Sequence, residues 1–243
     1  SLTGCLLEAL KEKKIKTVFC DSRHLPMAEL VPYHDCYNNS QKIKAQFSWT
    51  KECMNAVWAE IVREKILKQA EFLNELGFDE SANMLWVYSQ DIMPGDATNR
   101  EGHAAKVYFN SVFGKSFKRG GTDSINAALD YGYSIIMAMF SREITSSGYL
   151  TQLGIFHDNQ FNHFNLACDF MEPFRILTDR VVYSLGTGDF TDEKKHCLFA
   201  VLSSEVNIEN KKQTVLNACK IYTRSVFDAL SCSDTSRIKF YAN

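Results

Sequence analysis

Proline and glycine are scarce in this sequence, with 4 and 12 in 243 residues. Multi-stranded sandwiches draw on those residues at every turn, so the scarcity argues against them and suits long helices. Net positive charge is also missing. The formal balance is -2, which excludes a domain that holds nucleic acid by overall basicity and leaves only a local patch for that work. The 8 cysteines contain no Cys-x-x-Cys pair and match no zinc ribbon. They read as reduced core thiols of a cytoplasmic protein. No run approaches the roughly 18 apolar residues of a membrane span, and no basic segment precedes an apolar one as in an export signal. The chain opens Ser-Leu rather than Met, which suggests a fragment. What is present is an ordinary globular balance, 45% apolar and 23% charged, enough for a sizeable core without disulfides.

Hydrophobic periodicity organises the rest. Residues 3–13 read as a short amphipathic helix. Residues 17–20 and 27–32 read as short strands around a polar turn at 21–24. Two strands make no stable sheet alone, so this module reads as the tail of a β domain. Residues 33–39 (YHDCYNN) read as a linker ending at Ser40, a good N-cap. From there helical period dominates. Helices are expected over 41–49 and 51–76, the second with Val57, Trp58, Ile61, Val62, Ile66, Phe72 and Leu73 on one stripe and Gly77 as its stop. Others follow over 80–90, 99–113, 124–144, 164–184 with a break at Pro173, 191–204 and 209–231. Residues 148–163 are aromatic and amide-rich with weak periodicity. The expected architecture is mostly α: a partial β domain and linker over 1–40, then a large all-helical domain over 41–243.

Three places carry candidate chemistry. In Asn99-Arg100-Glu101-Gly102-His103, Glu101 has two readings. Thr98-x-x-Glu101 matches a capping box. Equally, a carboxylate at a helix start beside Arg100 suits a divalent metal near a phosphate, since oxygen ligands fit Mg²⁺ and Mn²⁺. In the second place, His157 follows an apolar triplet and opens a run of amides, as in a loop emerging from the core. His163 is a competing ligand or a structural residue. In the third, Asp169 and Glu172 lie three apart and would share a helical face. They read either as a solvated acidic face pairing with Arg175 or, given apolar neighbours and the kink at Pro173, as part of a site. Between these places Arg100, Lys106, Lys115, Lys118 and Arg119 face a single acid, Glu101. They are either plain surface or a stripe that tracks a DNA backbone.

Three blocks, NREGHAAKVYFNSVFG, INAALDYGYSIIMAMFSREI and GYLTQLGIFHDNQFNHFNLACDFMEPFR, resemble the CRISPR-associated integrases, the Cas-one proteins, of type II systems. The resemblance runs from about Leu2 to the C-terminus. It implies a helical catalytic domain whose metal, Mg²⁺ or Mn²⁺, is held by Glu101, His157 and Glu172, with Asp169 as an auxiliary or supporting residue. Many relatives carry Asp where this chain has Glu172, and the type II subgroup is expected to carry Glu. Clustered carboxylates repel without a cation, so the empty site is expected to be mobile or occupied by water and a Lys or Arg. The implied reaction is DNA cleavage and integration, in which a spacer 3′-hydroxyl attacks a phosphodiester of the repeat. Implied partners are double-stranded DNA, a second copy of the chain and the Cas-two protein. The family's N-terminal β domain, which serves the last two contacts, begins before this sequence does.

Two rival classes are a helical metal phosphohydrolase, suggested by the dipeptide His157-Asp158 with His34-Asp35 as a second pair, and a non-catalytic helical scaffold. Metal binding would separate the scaffold from both enzymes, and substrate choice would separate the enzymes.

Overall fold

The computed structural model describes residues 2–13, 15, 17–20, 26–30 and 38–242. Among these are ten α-helices and two β-hairpins. Helix α1 (Gly4–Glu12) starts where the Thr3 hydroxyl accepts from the Leu6 amide, and it buries no residue. Strands β1 (Val18–Cys20) and β2 (Pro26–Glu29) pair antiparallel, Phe19 opposite Ala28. The polar turn at 21–24, the end of the second expected strand, most of the linker and His34-Asp35 lie outside the described residues.

Helix α2 (Asn39–Phe47) begins before Ser40, which lies inside the helix; Asn38, in the left-handed region, stands at the cap. Gln46, polar yet buried, binds the loop that follows α6. Its amide donates to the carbonyls of Leu150 and Leu153, and its oxygen accepts from the Leu150 amide. One side chain thereby answers three backbone groups that would otherwise be costly to bury.

Helix α3 (Lys51–Glu75) is the axis of the domain. Thr50 caps it, and Gly77 ends it at φ +79°, where a Cβ would be strained. Its expected apolar stripe is buried throughout. Each large apolar side chain of that stripe contributes about 1.5–3 kcal/mol by burial. It packs against α4 (Asp79–Gln90), α5 (Arg100–Phe113), α8 (Arg175–Leu185) and α10 (Val215–Cys232). Helix α6 (Ser124–Ser146) lies against α7 (Asn165–Phe170), α8, α9 (Asp192–Ala200) and α10. Phe140, Phe170, Phe174, Tyr222 and Tyr241 form an aromatic cluster between these layers.

Two expectations need correction. Strands are not confined to the first 40 residues, and residues 209–214 are not helical. Strands β3 (Glu205–Ile208) and β4 (Lys211–Thr214) form a second hairpin. Val206 and Ile208 alternate into the core, and Glu209 and Asn210, at φ 53° and 60°, make the two-residue turn. The alternation spans too few residues to stand out beside α10. The cysteines are not uniformly core thiols either. Cys53 and Cys219 are buried, but Cys5, Cys20, Cys197 and Cys232 are exposed, and none of the seven described cysteines is in a disulfide. Among the described residues, no helix is long and apolar enough to cross a membrane.

Candidate active site

Helices α3 and α5, the loop after α6, and the turn joining α7 to α8 meet at one polar cluster. Each places one part of it for a local reason. Glu101 sits in the first turn of α5. The capping-box reading of Thr98 does not hold. Asn99 takes the cap position without a side-chain bond, and Asp96 does the capping. Its carboxylate accepts from the Arg100 amide at 2.8 Å and the Glu101 amide at 2.9 Å. With another residue satisfying the helix start, the Glu101 carboxylate is released for a different role.

Glu172 and Asp169 are both buried, at 2% and 0% exposure, so the solvated acidic face is excluded. They do not share a partner. Pro173 breaks the helix, which passes from α7 through a 3₁₀ turn, Glu172–Phe174, into α8. That change of winding sends the two carboxylates different ways. Glu172 faces Arg175, Oε1 to Nη2 at 2.9 Å, and Lys65, Oε2 to Nζ at 2.6 Å. The Tyr241 hydroxyl, donating to the Pro173 carbonyl, braces the turn from behind.

Asp169 instead organises the loop carrying His157. Its carboxylate accepts from the backbone amides of Ile155, Phe156 and His157 at 2.7, 3.2 and 3.0 Å, and meets His157 Nδ1 at 2.6 Å. Gly154 makes this close approach possible, since a Cβ there would stand 2.2 Å from the His157 carbonyl oxygen and 2.7 Å from Asp169 Oδ2. The His157 ring also stands edge-on to Trp58 of α3, and Phe156 stacks on the same indole. With Nδ1 committed to Asp169, Nε2 is the ring nitrogen left for a ligand or a proton. The hydrogen bond to Asp169 raises the imidazole pKa against the lowering effect of burial, and Glu172 and Glu101 add to the rise. Asp158 and His163 are exposed. The histidine partner is therefore Asp169 and not Asp158.

The residue that motif reading missed is Lys65. Its ammonium lies 2.5 Å from Glu101 Oε1 and 2.6 Å from Glu172 Oε2, joining the two carboxylates. Burial would lower its pKa, but the two glutamates outweigh burial and raise it. Burial likewise pushes the Glu172 carboxyl up, and Arg175 and Lys65 outweigh that and bring it down to about 2. Glu172 and Lys65 therefore face each other as an ion pair at neutral pH. The signal for Lys65 was in the sequence: it lies four residues after Ile61 and three after Val62, inside the apolar stripe of α3.

Among the described residues, no three His, Cys, Asp or Glu side chains are grouped closely enough to hold a metal as they stand. The donor set still fits a hard divalent ion. Two carboxylates and a free imidazole nitrogen are the ligand types that Mn²⁺ and Mg²⁺ accept. Glu172 Oε2 is buried and has Lys65 as its only charged partner among the described residues, so the acceptor at the centre of the cluster faces a cation already.

The basic residues divide into two groups. Arg100 is paired with Asp91 and lies over the Tyr88 ring. Arg119 donates to Asn126 and Asp130 and lies over Tyr133. Lys106, Lys115 and Lys118 are exposed. Deeper in, Asp179 accepts from the hydroxyls of Tyr108 at 3.0 Å and Tyr133 at 2.5 Å, and the Tyr133 ring supports the Arg175 guanidinium at 4.7 Å.

The sequence is 36% identical to the CRISPR-associated endonuclease Cas1 of Neisseria meningitidis serogroup C over 89% of this chain and 73% of that protein. It is 28% identical to a Cas1 endonuclease of Thermodesulfovibrio yellowstonii over 56% of this chain and 52% of that protein. In fold it is similar to a Cas1 protein of Thermotoga maritima, with TM-score 0.70 at 18% identity over 96% of this chain and 85% of that one. A casposase bound to an integration product gives 0.69 at 19% identity, over 99% and 83%. The family described as "CRISPR associated protein Cas1" matches residues 1–204, and the chain belongs to that family.

Proposed function

We propose that this chain is a divalent-metal-dependent DNA endonuclease and integrase of CRISPR adaptation, acting in the cytoplasm with Glu101, His157 and Glu172 as the metal-binding residues. The observation that supports this reading is the convergence of two carboxylates from distant elements on one ammonium, beside a histidine oriented by a buried aspartate. A capped helix start, an isolated histidine and a solvated acid would not have met in this way. A purely scaffolding role gives no reason to bury so much charge, because paired charges in a core cost desolvation that apolar packing would avoid.

Mg²⁺ or Mn²⁺ held by Glu101, Glu172 and Nε2 of His157 would supply Lewis-acid stabilisation of a phosphoryl centre and lower the pKa of an attacking hydroxyl. The protein's own side chains do the rest. Asp169 fixes the His157 tautomer and ring plane. Arg175, held by Glu172 and Tyr133, adds a fixed positive charge next to the acidic turn. Lys106, Lys115 and Lys118, together with Arg100 and Arg119, bind the phosphate backbone of double-stranded DNA without reading sequence. In integration the 3′-hydroxyl oxygen of a spacer bonds to a repeat phosphorus while the repeat's own 3′ oxygen leaves. In cleavage, water takes the place of that hydroxyl. The helical part from residue 41 is proposed as the catalytic domain. The part before it is proposed to join a second copy of the chain and the Cas-two protein.

The test is joining of a short duplex to repeat-bearing DNA in Mn²⁺. Glu101→Gln, His157→Ala and Glu172→Gln should each abolish product while leaving the helical circular dichroism unchanged. Any one of them joining DNA at the wild-type rate would overturn the assignment.

A further inference from the structure

Lys65 belongs to no motif, yet it is the only described cation in contact with both candidate carboxylates. We propose that Lys65 is a positioning residue of the metal site: its ammonium holds Glu101 and Glu172 in register in the metal-free protein and is displaced from them when the divalent ion binds. The inference rests on the reading of Glu101 and Glu172 as metal ligands.

The geometry supports displacement rather than coexistence. A hard ion bridging two carboxylate oxygens sits about 2.0–2.2 Å from each. The ammonium already stands at 2.5 Å and 2.6 Å from one oxygen of each. A divalent ion between those same oxygens would occupy the ammonium's volume, and two cations cannot share it. The two basic partners of Glu172 are also built for different fates. Arg175 contacts Oε1, the other oxygen, and its planar guanidinium is stacked on Tyr133, so it can stay. Lys65 ends a flexible four-carbon stem and acts as a point charge. Its contacts are the 2.6 Å ion pair with Oε2 and a 2.5 Å hydrogen bond to Glu101 Oε1, and both can be given up by rotation of that stem. Without any cation between them the two carboxylates would repel and move apart, and Lys65 keeps them facing each other.

Two measurements test this. In Mn²⁺ calorimetry, Lys65→Met should bind the ion more tightly than the wild type, by about tenfold or more, because a competing charge has gone. Its metal-free melting temperature should fall, and saturating Mn²⁺ should recover most of the loss. Equal or weaker binding by Lys65→Met, with the wild type binding normally, overturns the inference and leaves the metal site standing. If neither protein binds Mn²⁺, and Glu101→Gln is indistinguishable from both, the metal-site reading fails and the inference with it. Should Lys65→Met not fold, amine acylation of the wild-type protein decides. Modification of Lys65, read by mass spectrometry, should rise severalfold with saturating Mn²⁺. Lys68 is the internal control, buried on the same helix and paired with Glu64 and Glu71, and should not respond. Unchanged labelling of Lys65 while Mn²⁺ is bound overturns the proposal.

Discussion

Single residues decide whether the acidic cluster can form. Gly154 is the clearest case, because the Asp169 carboxylate and the His157 carbonyl occupy the space a side chain would need. Gly154→Ala should cost about 1–3 kcal/mol, the usual range for overpacking, and should reduce activity further by turning His157. Melting and strand-transfer assays on the same preparation check it; a variant equal to wild type in both would show that the loop has room. Asp179 gives a pH prediction. Burial raises its carboxyl to about 6, and the two tyrosine hydroxyls only partly offset this. Because the folded pKa exceeds the ordinary value, the group's contribution is fully present below about pH 4. It is lost as pH rises through about 6, at roughly 1.4 kcal/mol for each pH unit that separates the folded from the unfolded pKa. Asp179→Asn should lack that slope, so its melting temperature relative to wild type should climb between about pH 4 and 6.5; parallel curves would refute the assignment. Sequence reading reaches Glu101, His157, Asp169 and Glu172 as individual candidates. It misses Lys65 because a lysine in an apolar stripe is ordinarily taken as an interruption, and its counter-charges come from elements far away in sequence.

Among the elements, the long helices are legible in the sequence and the short ones are not. Helices α3 and α6 carry enough turns for a 3.6-residue period to emerge, and caps such as Thr50 and Asp123 mark their starts. The start of α5 is easily misread because Asp96, outside the helix and in a 3₁₀ turn, caps it in place of Thr98. The β3–β4 hairpin reads as the start of α10 because Glu209 is a poor residue for a left-handed turn and gives no turn signal. That mismatch makes a prediction. Replacing Glu209-Asn210 by Asn-Gly supplies residues suited to both positive φ angles and should stabilise the protein by up to about 1 kcal/mol, the relief of left-handed strain less the chain entropy of the added glycine. Urea midpoints measure it. A destabilised variant would show that Glu209, which pairs with Lys239, matters more for that ion pair than for its backbone.

The whole molecule is nearly neutral, so the proposed function requires its affinity for DNA to come from a few exposed cations. Replacing Lys106, Lys115 and Lys118 together by alanine should weaken binding to all duplexes alike. It should also flatten the salt dependence by roughly one unit of slope for each phosphate no longer neutralised. Unchanged affinity and slope would reduce these lysines to solubilising surface. The same scale shows where the site's dependence on the entire chain lies. Tyr241 braces the turn bearing Glu172 from 68 residues beyond Pro173, and Ala242 pairs with Asn207 to hold that brace down. Ribosomes build chains from the N-terminus, so Glu101, His157 and Glu172 all leave the exit tunnel before Tyr241 does. The turn that aims Glu172 therefore stays unsupported until Tyr241 has emerged, so the candidate site takes its final shape later in synthesis than its own residues appear.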